Sequence, residues 1–133
     1  MNEPFIREIA QLIQQQGFGV VGTSIFINDF PQETTEGLML VTAPSIAPEK
    51  YIDTEYPTID FWYISAHTDK AQRRLRDIYN NLHRREHYQT QNWYIYLSTA
   101  LGTIEGDIDR TQEGSKLLRL SVQFIVRNLN NVS

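Results

Sequence analysis

Two histidines flank a glutamate in His83-Arg84-Arg85-Glu86-His87. This is the H-x-x-E-H pattern of the inverted zinc proteases, in which two imidazoles one helical turn apart hold the metal. Such a site also needs a third protein ligand, a cleft and a glutamate placed as general base. Only Glu105 and Glu113 remain downstream as glutamate ligands, and Arg84 and Arg85 would repel a dication. The motif reads better as the polar end of a helix, where histidine and arginine suit the negative pole of the dipole. Glu105, Asp107 and Asp109 offer oxygens that a hard cation wants. Their spacing matches no calcium loop, and turn chemistry accounts equally well for Gly106, Asp107 and Asp109. No serine lies in a G-x-S-x-G elbow, and neither a P-loop nor a dinucleotide fingerprint occurs. The expectation is a protein without catalytic residues, metal or cofactor.

The elements that would position these groups can be read from hydropathy period. Residues 3–16 form a helix, with Phe5, Ile9, Leu12 and Ile13 at helical spacing beside Ile6, and Gly17 as its stop. Residues 20–30 are rich in β-branched and aromatic types, and 38–41 make a short apolar run whose length favours a strand. Residues 58–66 carry Ile59, Phe61 and Tyr63 on one side and Trp62 and Ile64 on the other, as a central strand does. Thr68-Asp69 caps a second helix over 68–86, buried through Ala71, Leu75, Ile78 and Leu82. A strand over 92–101 and an acidic turn over 102–110 follow. The closing strand, 117–127, places Leu118, Leu120, Val122, Phe124 and Val126 on one face and Arg119, Ser121, Gln123 and Arg127 on the other.

The order α-β-β-β-α-β-β predicts an α+β domain over 1–133: a mostly antiparallel sheet of about five strands, with both helices on one face. A chain of 133 residues suits one domain with a real core. Pro44, Pro48 and Pro57 argue against a regular element over 43–57, which is expected to be a mobile loop. Its apolar Ile46, Tyr51, Ile52 and Tyr56 suggest that it covers a surface when a partner arrives. There are no cysteines, which removes disulfides and thiolate zinc sites. No apolar run reaches the length of a spanning helix, and Met1-Asn2-Glu3-Pro4 lacks a basic signal-peptide start. A soluble, cytoplasmic protein with no membrane partner is expected.

The net charge of −4 is unevenly spread. Residues 29–60 hold seven acids against Lys50 alone, while 68–87 hold six bases against Asp69, Asp77 and Glu86. Opposite regions on one small domain can register copies against each other, although solvated charge is the commoner fate of such runs. Clustered arginines also suit phosphate. The pI near 5.3 and the lack of an aromatic ladder among the bases argue against a dedicated nucleic-acid binder. Tyr79 and Tyr88 are the only aromatic residues near those bases, and Tyr79 reads as a core border.

This layout resembles the tail terminator and tail-completion proteins of long-tailed bacteriophages, with the minor capsid and head–tail joining proteins close in form. The similarity spans nearly the whole chain. It is carried by Phe61-Trp62-Tyr63-Ile64-Ser65-Ala66 entering the helix from Ala71 to Leu82, and by Gly106-Asp107-Ile108-Asp109 ahead of the closing strand. The resemblance implies a non-enzymatic virion protein in a homo-hexameric ring. That ring would cap the tail tube, stop its polymerisation and join the head connector, with DNA passing through the lumen unread. It implies residence at the head–tail junction, and in the host cytoplasm during assembly. Arg73, Arg74, Arg76, Asp53, Glu55 and Asp60 are then candidate ring contacts, with Tyr51 and Tyr56 as candidate partner contacts. The alternatives are a neck head-completion or adaptor protein and a small cytoplasmic nucleic-acid-binding domain.

Overall fold

A computed structural model describes residues 4–28, 36–46, 54–110 and 115–129. Helix α1 (Phe5–Gln15) starts on Pro4, whose carbonyl accepts the Arg7 and Glu8 N–H groups at 3.0 and 3.3 Å. It ends where Gly17 turns to φ +88°, so that Gly17 N–H reaches the Gln14 carbonyl and Phe18 N–H the Ile13 carbonyl. That pair of bonds is a Schellman stop, and glycine adopts its left-handed residue without steric cost. Phe5, Ile6, Ile9 and Ile13 are buried, as their spacing requires.

Among the described residues seven strands form one sheet: β1 (Ile25–Ile27), β2 (Gly37–Ile46), β3 (Thr54–Ser65), β4 (Arg85–Gln89), β5 (Trp93–Ala100), β6 (Glu105–Arg110) and β7 (Ser115–Asn128). Helix α2 (Thr68–Leu82) connects β3 to β4. The strands lie in the order β1-β2-β3-β7-β5-β4. β1 pairs parallel with β2 and every other pairing is antiparallel. β7 is the spine. One edge pairs with β3 along most of its length, and the other pairs first with β6 and then with β5.

Leu118, Leu120, Val122, Phe124 and Val126 are all buried, in one cluster with Leu38, Leu40, Ile59, Phe61, Ile95 and the inward faces of α1 and α2. Both helices therefore share one side of the sheet, as the α+β reading expected. Phe5 locks α1 onto that core through edge-to-face contacts with Trp93 and Phe124 at centroid distances of 5.4 and 5.1 Å.

The sheet has two strands more than the five expected. The second helix stops at Leu82 rather than 86, and β4 replaces its expected last turn. The segment read as an acidic turn is β6, paired with β7 in register Glu105↔Arg119 to Arg110↔Ser115. Of residues 20–30, only Ile25–Ile27 are strand. The cap of α2 is His67, with no side-chain capping bond, in place of Thr68-Asp69. Strands also enter both ends of the proline-bearing span, since β2 runs through Pro44 and β3 through Tyr56 and Pro57. Residues 47–53, including Tyr51 and Asp53, lie outside the described residues.

Candidate assembly surfaces

Helix α2 turns Ala71, Leu75, Ile78 and Leu82 into the core, which leaves Asp69, Arg73, Arg76, Asp77 and Asn80 exposed. Among the described residues Arg73 and Arg76 have no ion pair. Arg76 sits with Gln72 and Tyr79 beside Thr103 and Ile104, in a shallow groove where the β5–β6 turn passes the helix. Lys70 is committed to Glu36, its Nζ donating at 2.5 Å, and Ser65 Oγ donates to the same carboxylate at 3.2 Å. The Lys70 hydrogen bond is the main reason the Glu36 carboxyl is held below its ordinary value of 4.5, against the burial that raises it. Arg74 is half-buried beside Tyr63, whose hydroxyl is pushed up by burial and drawn back in part by Lys70 and that arginine. Of the three arginines singled out in the sequence, Arg73 and Arg76 are available to a partner. Arg74 belongs to the junction between α2 and β3.

Glu55 and Asp60 do not form one patch. On β3 Glu55 stands opposite Val126, on the helix side of the sheet, whereas Asp60 stands opposite Ser121 on the other side and accepts its hydroxyl proton at 2.5 Å. Period-two alternation separates them. Tyr56 is half-buried opposite Ile46.

The histidine motif is dismantled by the fold. His83 is the C-cap of α2, Arg84 turns the chain at φ +58°, and Glu86 and His87 lie in β4. The two imidazoles are thus not one helical turn apart. The ring nitrogen Nδ1 of His83 accepts the Ala100 N–H at 3.1 Å while its ring stacks on Tyr79, and His87 Nδ1 pairs with the Tyr94 hydroxyl at 2.9 Å. Arg85 is held by Asn81 and lies over the Tyr88 ring at 4.1 Å. Tyr88 donates to Ser98 Oγ, which donates to the Leu82 carbonyl, both at 2.6 Å. Burial pushes the Tyr88 hydroxyl up, partly offset by Ser98 and Arg85. This chain ties off one of the orphan carbonyls at the end of α2. Among the described residues no three His, Asp or Glu side chains gather to hold a metal.

One structural acid went unnoticed in the sequence. Glu8 is 2% exposed, and its carboxylate accepts from Thr90 Oγ1, Asn92 N and Asn92 Nδ2 at 2.6, 2.9 and 2.7 Å. It pins α1 to the β4–β5 turn. The signal was present, since an acid between Phe5 and Leu12 at i+3 and i+4 interrupts an apolar stripe.

The side of the sheet opposite the helices carries Met39, Asp60, Trp62, Tyr94, Arg119, Ser121, Gln123 and Ile125 in register. None of these is fully buried, and among the described residues no helix covers them. The Arg119 guanidinium lies 5.4 Å from the Trp62 ring centre. Leu101, 48% exposed, meets Asp60 and Ser121 at the rim of this face. The architecture thus presents an apolar and aromatic sheet face on one side and a charged helix face on the other.

No described helix is long and apolar enough to cross a membrane. The family model for the bacteriophage tail terminator protein matches residues 12–128, from the middle of α1 to the end of β7. No curated protein matches the chain.

Proposed function

This chain belongs to the bacteriophage tail terminator family, and from that membership we propose that it ends tail-tube growth as a homo-hexameric ring seated on the last ring of the tube. Membership itself makes it a component of the phage tail. In the proposed role the ring stops polymerisation of the tube protein, offers its far side to the head connector, and lets DNA through its lumen without reading it. Binding does the work and no bond is made or broken.

The family match over 117 residues carries this reading, because it spans the sheet and all of α2. The surfaces support it. Arg73 and Arg76 are exposed guanidinium groups without ion pairs among the described residues, as expected of groups that find their acids on another molecule. Asp60, Glu55, Asp53, Tyr51 and Tyr56 remain proposed contacts, of which Glu55 and Asp60 stand on opposite sides of the sheet. Arg74, half-buried beside Tyr63, remains a proposed contact as well.

Electron microscopy of tails assembled with and without the protein tests the role. Tubes of uncontrolled length in its absence are expected. Tubes of normal length that merely fail to acquire heads would overturn termination and favour a neck adaptor.

A further inference from the structure

A ring needs two different surfaces on each copy, because a patch that meets its own twin closes as a two-fold pair. Resting on the ring reading above, we propose that the uncovered sheet face of one copy receives the outer face of α2 from the next copy, packed front to back.

The sheet edges are poorly suited to be that contact. An open edge invites pairing with another chain unless it is short, bent, charged or broken by proline. Each edge here has such an obstacle. β1 has three residues. β2 beyond β1 contains Pro44, which has no N–H to donate. β4 is bent by His87 at φ +51°, just after Arg84 at φ +58°. β6 carries a bulge between Gly106 and Ile108 and four charged residues in six. With the edges blocked, the faces are left.

The two faces complement one another. The sheet face offers apolar and aromatic surface through Met39, Trp62, Tyr94 and Ile125, with Leu101 protruding at its rim. Around that surface lie Asp60 and Glu86 on one hand and Arg119 and Arg127 on the other. The α2 face mixes Arg73 and Arg76 with Asp69 and Asp77, all exposed. Arginine on one face can therefore meet acid or a tyrosine ring on the other, and aspartate can meet arginine. The two faces lie on opposite sides of the sheet, so they cannot meet within one copy. A front-to-back contact is heterologous, the kind that closes a ring.

The chain has no cysteine, so introduced thiols are unique. Asn80→Cys marks the α2 face and Gln123→Cys the centre of the sheet face. Mixing the two full-length variants with a short bis-maleimide is expected to link unlike copies and leave like copies unlinked. A chain carrying both changes should give a ladder that ends at the ring size. Arg73→Glu should raise the concentration for half-association about tenfold, a shift of about 1.4 kcal/mol, with its thermal midpoint unchanged. Linkage of Gln123→Cys copies to one another would overturn the proposal in favour of sheet-on-sheet dimers. Association by sedimentation without linkage of unlike copies would overturn it too, yet leave the ring reading standing. Absence of association both in solution and on tube ends would sink both.

Discussion

Glu8 and Glu36 show how differently two carboxylates on one small chain can be used. Glu8 is buried and accepts three hydrogen bonds from the β4–β5 turn. Removing it takes the acceptor away from three half-buried donors: the Thr90 hydroxyl, the Asn92 N–H and the Asn92 amide. Glu8→Ala should therefore cost about 2–3 kcal/mol, read as a lower denaturation midpoint at unchanged slope. Glu36 is a surface acid, and its bond to Lys70 joins side chains that are 43% and 40% exposed. Solvent limits that pair to less than about 1 kcal/mol. Its folded pKa is lowered, so its stabilisation is present above the ordinary value of 4.5 and is lost as pH falls through the lower folded value. The stability gap between wild type and Lys70→Ala should thus be largest near neutrality and close in acid, as denaturant midpoints measured across that range will show. Both acids were visible in the sequence. Their partners, 82 and 34 residues away, were not.

At the scale of elements, the end of α2 is where sequence and structure part. Arg84, Arg85 and Glu86 are sound helix formers by propensity, and nothing local forbids another turn. The apolar stripe nevertheless stops at Leu82, since the next inward position falls on Arg85 and Glu86. Tertiary contacts then decide the matter. Ser98 takes the Leu82 carbonyl, and His83 takes the Ala100 N–H. A direct comparison checks this boundary. Arg84 sits in the left-handed region, so Arg84→Gly should be neutral or stabilising by up to about 1 kcal/mol. Arg73→Gly, in the middle of the exposed helix face, should cost about 1 kcal/mol. Were 84 helical, both would destabilise alike. β6 looks like a turn in the sequence for a related reason. Its acids and glycine suit a turn, and only the partner strand β7 makes them a strand.

For the molecule as a whole, one helix-covered face and one open face set what it can do. Leu101 lies on the open side and is 48% exposed, so Leu101→Asp should change the stability of the single copy by less than about 0.5 kcal/mol. Its effect should appear in association, as a weakened ring by sedimentation and as longer tails in assembly. A variant that loses both fold and association would place Leu101 in the core instead. By itself the sequence determined the two amphipathic stripes, the period-two spine of β7, and hence helices over one side of a mostly antiparallel sheet, because each of these is a property of one segment and its repeat. The fates of β4, β6, Glu8 and His83 were decided only in the tertiary structure. Which strand lies alongside, which turn accepts a carboxylate and which face stays open depend on segments far apart in the chain, and hydrophobic period carries no information about such pairs.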